Sequence, residues 1–290
     1  MSEFNKGIIS TFVGSFWWGV IGVLYFKYIS FVEPLEVVSH RVLWTIVFLF
    51  LIILLKGRLG LVVKVFKNKK KLFLLIISGI LIFLNWVTWI YAISINKLIE
   101  ASFGYYIFPI LSVFFGSIFL GEKLNFKKKI SVSIIIISII YMMFYLDEFP
   151  WIGIVVAFSF SLYAVVRKVV LTETDVGLFV ESIFLIPIII IIFYNLNIAN
   201  EVSFTISNLN LSIILILAGP MTVIPLFLFV RGSELSGLGP ASMIFFVAPT
   251  GQFLLGLFLY NEQFMINRLI GFILIWFAVL IYLRDLYENN

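Results

Sequence analysis

The chain has no cysteine in its 290 residues, which excludes disulfides, thiol catalysis and cysteine-based metal sites. Charge is scarce as well: Asp, Glu, Lys and Arg make up 12% of the sequence, against about 25% in ordinary soluble domains. A single histidine, His40, cannot form a His-based metal site, and no cofactor is implied. There is no GxxxxGK[ST] phosphate loop, so the chain has no motif for drawing directly on nucleotide energy.

What is present is apolar. Hydrophobic residues form 62% of the chain, aromatics 18%, and the mean hydropathy is +1.16. A soluble globule of this size leaves much of its surface in water and could not hide so much apolar area. Ten runs are long enough for the ~20 residues that span a bilayer core: about 8–27, 36–55, 72–93, 101–120, 130–146, 150–168, 177–194, 210–230, 238–259 and 268–284. They are continuous rather than alternating, which disfavours a membrane β-barrel. The expected fold is an all-α integral membrane protein with ten transmembrane helices. Lys6 precedes the first run without a small-residue cleavage pattern, so that run reads as an uncleaved helix.

Loop charges orient the chain. With the N-terminus in the cytoplasm, sixteen Lys and Arg residues fall in cytoplasmic segments and three (Lys27, Lys97, Arg268) on the opposite side, with Arg41 inside a span. Such a bias places both termini in the cytoplasm and the protein in the inner (plasma) membrane. The lysine-rich 64–71 run reads as an anchor near anionic lipid, not as a nucleic-acid contact.

An internal repeat divides the chain. At a shift of 140 residues, Leu98, Ala101, Ser102, Pro109, Gly116 and Glu122 fall on Leu238, Ala241, Ser242, Pro249, Gly256 and Glu262. A weaker match at 146 pairs Gly7, Phe12, Ser15 and Trp17 with Gly153, Phe158, Ser161 and Tyr163. The expected halves are 1–146 and 147–290, with five spans each. An odd number of spans inserts the second half upside down, the architecture of many secondary transporters. Tyr260-Asn261-Glu262 departs from the matching Leu120-Gly121-Glu122.

Three segments carry a family resemblance: LIEASFGYYIFPILSVFFGSIFLGE at Leu98–Glu122, SHRVLW at Ser39–Trp44 and AFSFSLYAVVRK at Ala157–Lys168. They resemble the RarD branch of the EamA family, within the drug/metabolite transporter superfamily, and the resemblance covers essentially the whole chain. It implies an inner-membrane permease of ten helices with a central cavity lined by the fourth and ninth. It does not imply a particular cargo.

Ionisable groups inside a span are costly and are read as functional. Here they are His40, Arg41 and Glu181, with His40 and Glu181 near-equivalent at a shift of 141. Inversion puts them near opposite faces, so each needs its own partner. Arg41 with Glu100 is expected as an outer gate, and Glu181 with Arg231 or Arg167 as an inner one. The alternative is that these charges snorkel to the interface. His40 belongs to the residue type that titrates near neutrality and is a candidate for proton coupling or for a structural hydrogen bond. Pro109 and Pro249 are expected to bend their helices and widen a cavity. The expected solute-binding side chains are Trp17, Trp44, Asn85, Tyr105, Tyr106, Phe246 and Gln252, a lining suited to a flat or amphipathic organic solute. The leading function is a secondary permease for a small organic solute, working as a monomer or homodimer by alternating access. A lipid-modifying membrane enzyme and a non-transporting accessory protein are the alternatives; Asp147 and Glu148 read as a solvated turn.

Overall fold

Helix starts are encoded by side chains that accept an otherwise unsatisfied N–H. Ser2, Glu33, Asn68, Asn125 and Asn208 each take one from the first turn of the helix that follows. A computed structural model describes residues 1–121, 124–145, 149–259 and 266–289. Every regular element among them is helical. They are α1 (Glu3–Phe16), a π-helical turn (Trp17–Ile21), α2 (Gly22–Tyr28), α3 (Pro34–Leu55), α4 (Leu59–Lys67), α5 (Lys69–Ser94), α6 (Leu98–Phe119) and α7 (Phe126–Met143). Then follow α8 (Trp151–Val170), α9 (Thr174–Ile183), α10 (Ile186–Ala199), α11 (Leu209–Ser236), α12 (Leu238–Ile244), α13 (Val247–Leu259) and α14 (Ile266–Asn289). Glu122, Lys123, Asp147, Glu148, Tyr260, Asn261 and Glu262 lie outside the described residues.

Seven helical stretches among the described residues are long and apolar enough to cross a membrane, and eight if α9 and α10, bent by 45°, make one span. This is an all-α, multi-pass membrane protein. Large side chains such as Leu55, Phe73, Phe119, Phe258 and Phe277 are exposed on its surface, where lipid rather than water suits them. The expected count of ten also needs α7, which opens on Lys127, Lys128 and Lys129, and α14, which packs against it. Lys127 meets Glu288 at the charged ends of that pair.

Two prolines explain two breaks. A proline ring clashes with the carbonyl four residues earlier and removes the hydrogen bond to it. Pro249 therefore opens the chain at Phe245–Phe246, between α12 and α13, and Pro187 opens it at Phe184–Leu185, between α9 and α10. Pro109 behaves differently from its repeat partner, because α6 runs unbroken from Leu98 to Phe119 across it. The matched bend expected at Pro109 and Pro249 is thus a break on one side only.

Each half of the chain packs mainly against the other half. α1 lies on α11 as α8 lies on α5, α3 lies on α11 as α9 lies on α5, and α6 lies on α8 as α12 and α13 lie on α1 and the π turn. Small residues allow the close approaches. A Cβ on Gly104 would stand 2.2 Å from the carbonyl oxygen of Gly153, and one on Gly19 would stand 2.6 Å from that of Ala248. Gly79 and Gly219, 140 positions apart, play matching parts: the first rests on the backbone of Glu181, the second on that of Trp44. Overpacking such contacts costs about 1–3 kcal/mol or more. Gly104→Val is therefore expected to lower the unfolding temperature in detergent sharply. Gly60→Val, at an open position on α4, should leave it nearly unchanged, and equal shifts for the two would contradict this packing.

Candidate functional site: two buried charges about an aromatic plug

At the centre of the bundle sits Phe160 of α8, fully buried. Six rings surround it with centroids between 4.6 and 5.9 Å: Trp18, Tyr105, Phe108, Tyr163, Phe229 and Phe245. They come from the π turn, α6, α8, α11 and the break before α13. Both irregular segments thus deliver an aromatic side chain to the core, a placement typical of π-bulges near functional sites. Asn85 supports the plug from α5. Its amide donates to the carbonyl of Val156 and to Ser159 Oγ, and its Oδ1 accepts from the Tyr105 hydroxyl at 3.0 Å.

The expected binding residues do not form one lining. Asn85 and Tyr105 join the plug. Tyr106 and Phe246 lie in a second apolar cluster with Phe272, where Tyr106 donates to Thr250 Oγ1. Trp44 is apart from both, with its indole N–H donating to His40 Nδ1 at 3.3 Å. Trp17 is half-buried, and its Nε1 has no partner among the described residues; neither does the fully buried amide of Gln252.

Two buried charges occupy equivalent positions in their helices. Arg41 is seven residues into α3 and Glu181 seven residues into α9, each about 10 Å from its helix start at 1.5 Å per residue. Glu181, buried, stands 3.4 Å from Arg167 Nη1 and accepts from Ser78 Oγ at 2.6 Å. Space for this pair depends on glycine: a Cβ on Gly177 would lie 1.9 Å from Arg167 Nη1. Of the two partners open to Glu181, the structure joins it to Arg167. Arg231 is instead half exposed and pairs with Glu234.

Arg41 does not meet Glu100. Its Nε donates to Thr222 Oγ1 at 2.9 Å, and its guanidinium carbon lies 4.7 Å from the Phe26 ring centre, 4.8 Å from Trp86 and 5.9 Å from Trp89. Glu100 is held elsewhere, because the Gly104–Gly153 contact draws the start of α6 onto α8. There it accepts from the Ile152 N–H and lies 3.6 Å from Lys97. His40, one residue earlier, packs on Phe204 with its Nε2 3.7 Å from Glu36. Glu36 accepts from the N–H groups of Ser203 and Phe204, so it ties α3 to the loop before α11.

The lysine-rich end is grooved. Adjoining cavities of about 290, 260 and 140 Å³ share Glu173 and are bordered by basic side chains including Lys64, Lys71, Lys168 and Arg231. Lys56 and Arg58, in the turn between α3 and α4, reach across to buried Asp175 at the start of α9.

Residues 5–144 match the EamA-like transporter family. Similarity to curated proteins extends further. "Protein RarD" of Salmonella typhi is 30% identical over 281 residues, covering 97% of this chain and 95% of its own length. An "Uncharacterized transporter" of Vibrio cholerae is 32% identical over 97% of this chain and 93% of its own. The "Uncharacterized transporter YojE" of Bacillus subtilis is 32% identical over 97% and 94%. The chain belongs to the EamA-like transporter family. It is a RarD-like member.

Several residues that organise this RarD-like chain escape a reading of its sequence. Phe160 and Phe229 are two aromatics among many, and position 140 residues on is the signal that marks such sites: Trp89 falls on Phe229, Tyr105 on Phe245 and Arg41 on Glu181. Glu36 and Asp175 sit in first helical turns, where carboxylates are ordinary. Their burial comes only from the packed fold.

Removing one member of a buried ion pair costs about 3–5 kcal/mol, because the other charge is left uncompensated. Arg167→Met is expected to lower stability by that order in urea or thermal unfolding of the detergent-solubilised protein. Adding Glu181→Leu to Arg167→Met should recover most of the loss. A double variant no more stable than the single one would refute the pairing.

Proposed function

We propose that this protein is a secondary permease that moves a small organic solute across the inner membrane by alternating access. The observation that supports the reading is the burial of Arg41 and Glu181, 140 positions apart and each seven residues past a helix start, in a bundle whose core holds the Phe160-centred plug. A carrier needs a barrier on each side of a central point and a means of opening them in turn. Here Arg41, with His40, Glu36 and Glu100, belongs to one barrier, and Glu181, with Arg167, Arg231 and Asp175, belongs to the other. The Asn85–Tyr105 bond within the plug, the second cluster of Tyr106 and Phe246, and the unpartnered Gln252 amide are where a solute would replace existing contacts. Trp17 and Trp44 would flank its route.

The same reading makes 1–146 and 147–290 inverted five-helix halves, with ten spans when α7 and α14 are counted. The reciprocal packing of helices across the halves supports it, as do the Gly79–Gly219 and Tyr105–Phe245 correspondences. The sixteen-to-three charge bias supports cytoplasmic termini. The basic grooves then open to the cytoplasm, and the lysines of α4 meet anionic lipid. No resident cofactor enters the cycle, the protein acts as a carrier rather than an enzyme, and each monomer holds a complete path whether or not two associate.

The absence of cysteine makes the test direct. Counterflow is measured in liposomes containing only this protein, preloaded with mixed amino acids and nucleobases and given labelled members outside. At least one label is expected to accumulate above protein-free liposomes. Cross-linking Arg58→Cys to Glu173→Cys at one end, or Glu36→Cys to Ser203→Cys at the other, should each stop accumulation, and reductant should restore it. Accumulation that persists through either cross-link would end the alternating-access mechanism. Absence of accumulation for every label would end the carrier reading.

A further inference from the structure

The two equivalent charges differ in one respect. Glu181 has its counter-ion inside the protein, in Arg167. Arg41 has none: no carboxylate lies within ion-pairing distance among the described residues, and Glu33, Glu36 and Glu100 are turned to backbone N–H groups. Arg41 is nonetheless 1% exposed. A charge at that depth is held in an apolar medium, where leaving it unanswered is costly.

Several donors around it lack a partner. Arg41 Nη1, Trp86 Nε1 and Trp89 Nε1 are all buried without an acceptor among the described residues, and Thr45 Oγ1, one helical turn beyond Arg41, is also unpartnered. The only acceptor given to the guanidinium is the neutral hydroxyl of Thr222. A buried guanidinium, and the N–H groups of two of the rings that face it, thus lack an acceptor that carries negative charge.

We infer that Arg41 is the anchor for the carboxylate of the transported solute. This deepens the carrier reading and rests on it. The ligand is a monoanion, because a single guanidinium balances one charge, whereas a phosphate dianion would need a second cation that this cage does not hold. Its body is flat and apolar, since Phe26, Trp86 and Trp89 offer ring faces to whatever the carboxylate brings with it. In the form described, the rings close on the guanidinium and stand in for that body. Solute entry would part them, exchange the Thr222 contact for a two-pronged guanidinium–carboxylate bond, and supply the indole N–H groups with an acceptor. The basic grooves at the lysine-rich end favour the same sign of solute by raising its local concentration.

Equilibrium binding tests this without requiring transport. The purified protein is titrated with indole-3-acetate and phenylacetate, and with phenylacetamide and phenethylamine as neutral and cationic counterparts of the same shape. Unfolding temperature and tryptophan fluorescence are followed together. Both carboxylates are expected to raise the unfolding temperature in proportion to occupancy and to quench fluorescence, while the amide and amine do neither. Arg41→Gln should weaken carboxylate binding by about tenfold or more, as loss of a charged hydrogen-bonding group does, and Arg41→Lys should retain part of it. If Arg41→Gln does not fold, Trp86→Phe serves instead, since it keeps a ring and removes one donor; severalfold weaker binding is expected. Equal binding of carboxylate and amide, no binding of either carboxylate, or unaltered binding in Arg41→Gln or Trp86→Phe would overturn the inference. Failure of counterflow with carboxylate binding intact would remove the carrier reading alone. Counterflow of neutral or cationic solutes without carboxylate binding would remove only this assignment.

Discussion

A charge inside an apolar slab has to be answered by something close to it, and much of this structure follows from how each one is answered. Water does not reach these depths to screen them, so the answer must come from side chains, backbone dipoles or rings. Glu36 is answered by two loop N–H groups and Glu181 by an arginine and a serine, whereas Arg41 has a neutral threonine hydroxyl and three aromatic rings but no counter-ion. Each solution fixes the position of a neighbouring element. The loop at Ser203 is tied to α3, the end of α8 is tied to α9, and α11 is tied to α3 through Thr222. The ionic groups are thus few, and each holds a joint between helices that hydrophobic contact alone would leave free to slide.

These answers are possible only because backbones come unusually close. Lipid chains are as apolar as leucine, so burial gives helices in a bilayer little reason to associate, and close van der Waals contact has to supply it. Gly79 allows α5 to rest on the Glu181 backbone, which brings Ser78 to the carboxylate; Gly177 leaves room for the Arg167 guanidinium beside it. The same logic works against the expected Arg41–Glu100 pair. Gly104 and Gly153 seat α6 on α8 so closely that Glu100 is committed to the Ile152 N–H. Packing of small residues therefore decides which charges can meet.

The helical class and the approximate ends of most spans were legible in the sequence, because apolar length and capping side chains are local properties. The reading of Asn85 as an inward-facing amide was legible for the same reason: its cost in lipid is intrinsic to the residue. What could not be read was which of many aromatics would converge. Phe160 looks like any of the 33 phenylalanines, and its place at the centre comes from the π turn at Trp17–Ile21 and the break at Phe245–Phe246. Pro249 signals that break, yet Pro109 carries the same signal inside an unbroken α6. The difference lies in the packing around each helix, which no local rule encodes. Trp44 was expected beside Asn85 and Tyr105 as a solute-binding side chain because its type fits, whereas its indole hydrogen-bonds to His40, apart from them.

Symmetry of sequence and asymmetry of chemistry together give the molecule direction. In the carrier reading proposed above, two halves with matching glycines and aromatics would supply equivalent barriers, and fully equivalent barriers would have no reason to treat a charged solute differently from its two sides. Here the equivalent positions carry opposite charges, one neutralised within the protein and one not. An anionic solute would complete the first barrier by binding Arg41, but would meet at the second a carboxylate already paired with Arg167. It can be held on one side of the plug and has no comparable resting place on the other. That inequality would bias where the solute dwells during the cycle, and it arises from the opposite charges at positions 41 and 181 together with the Arg167 counter-ion that only Glu181 has.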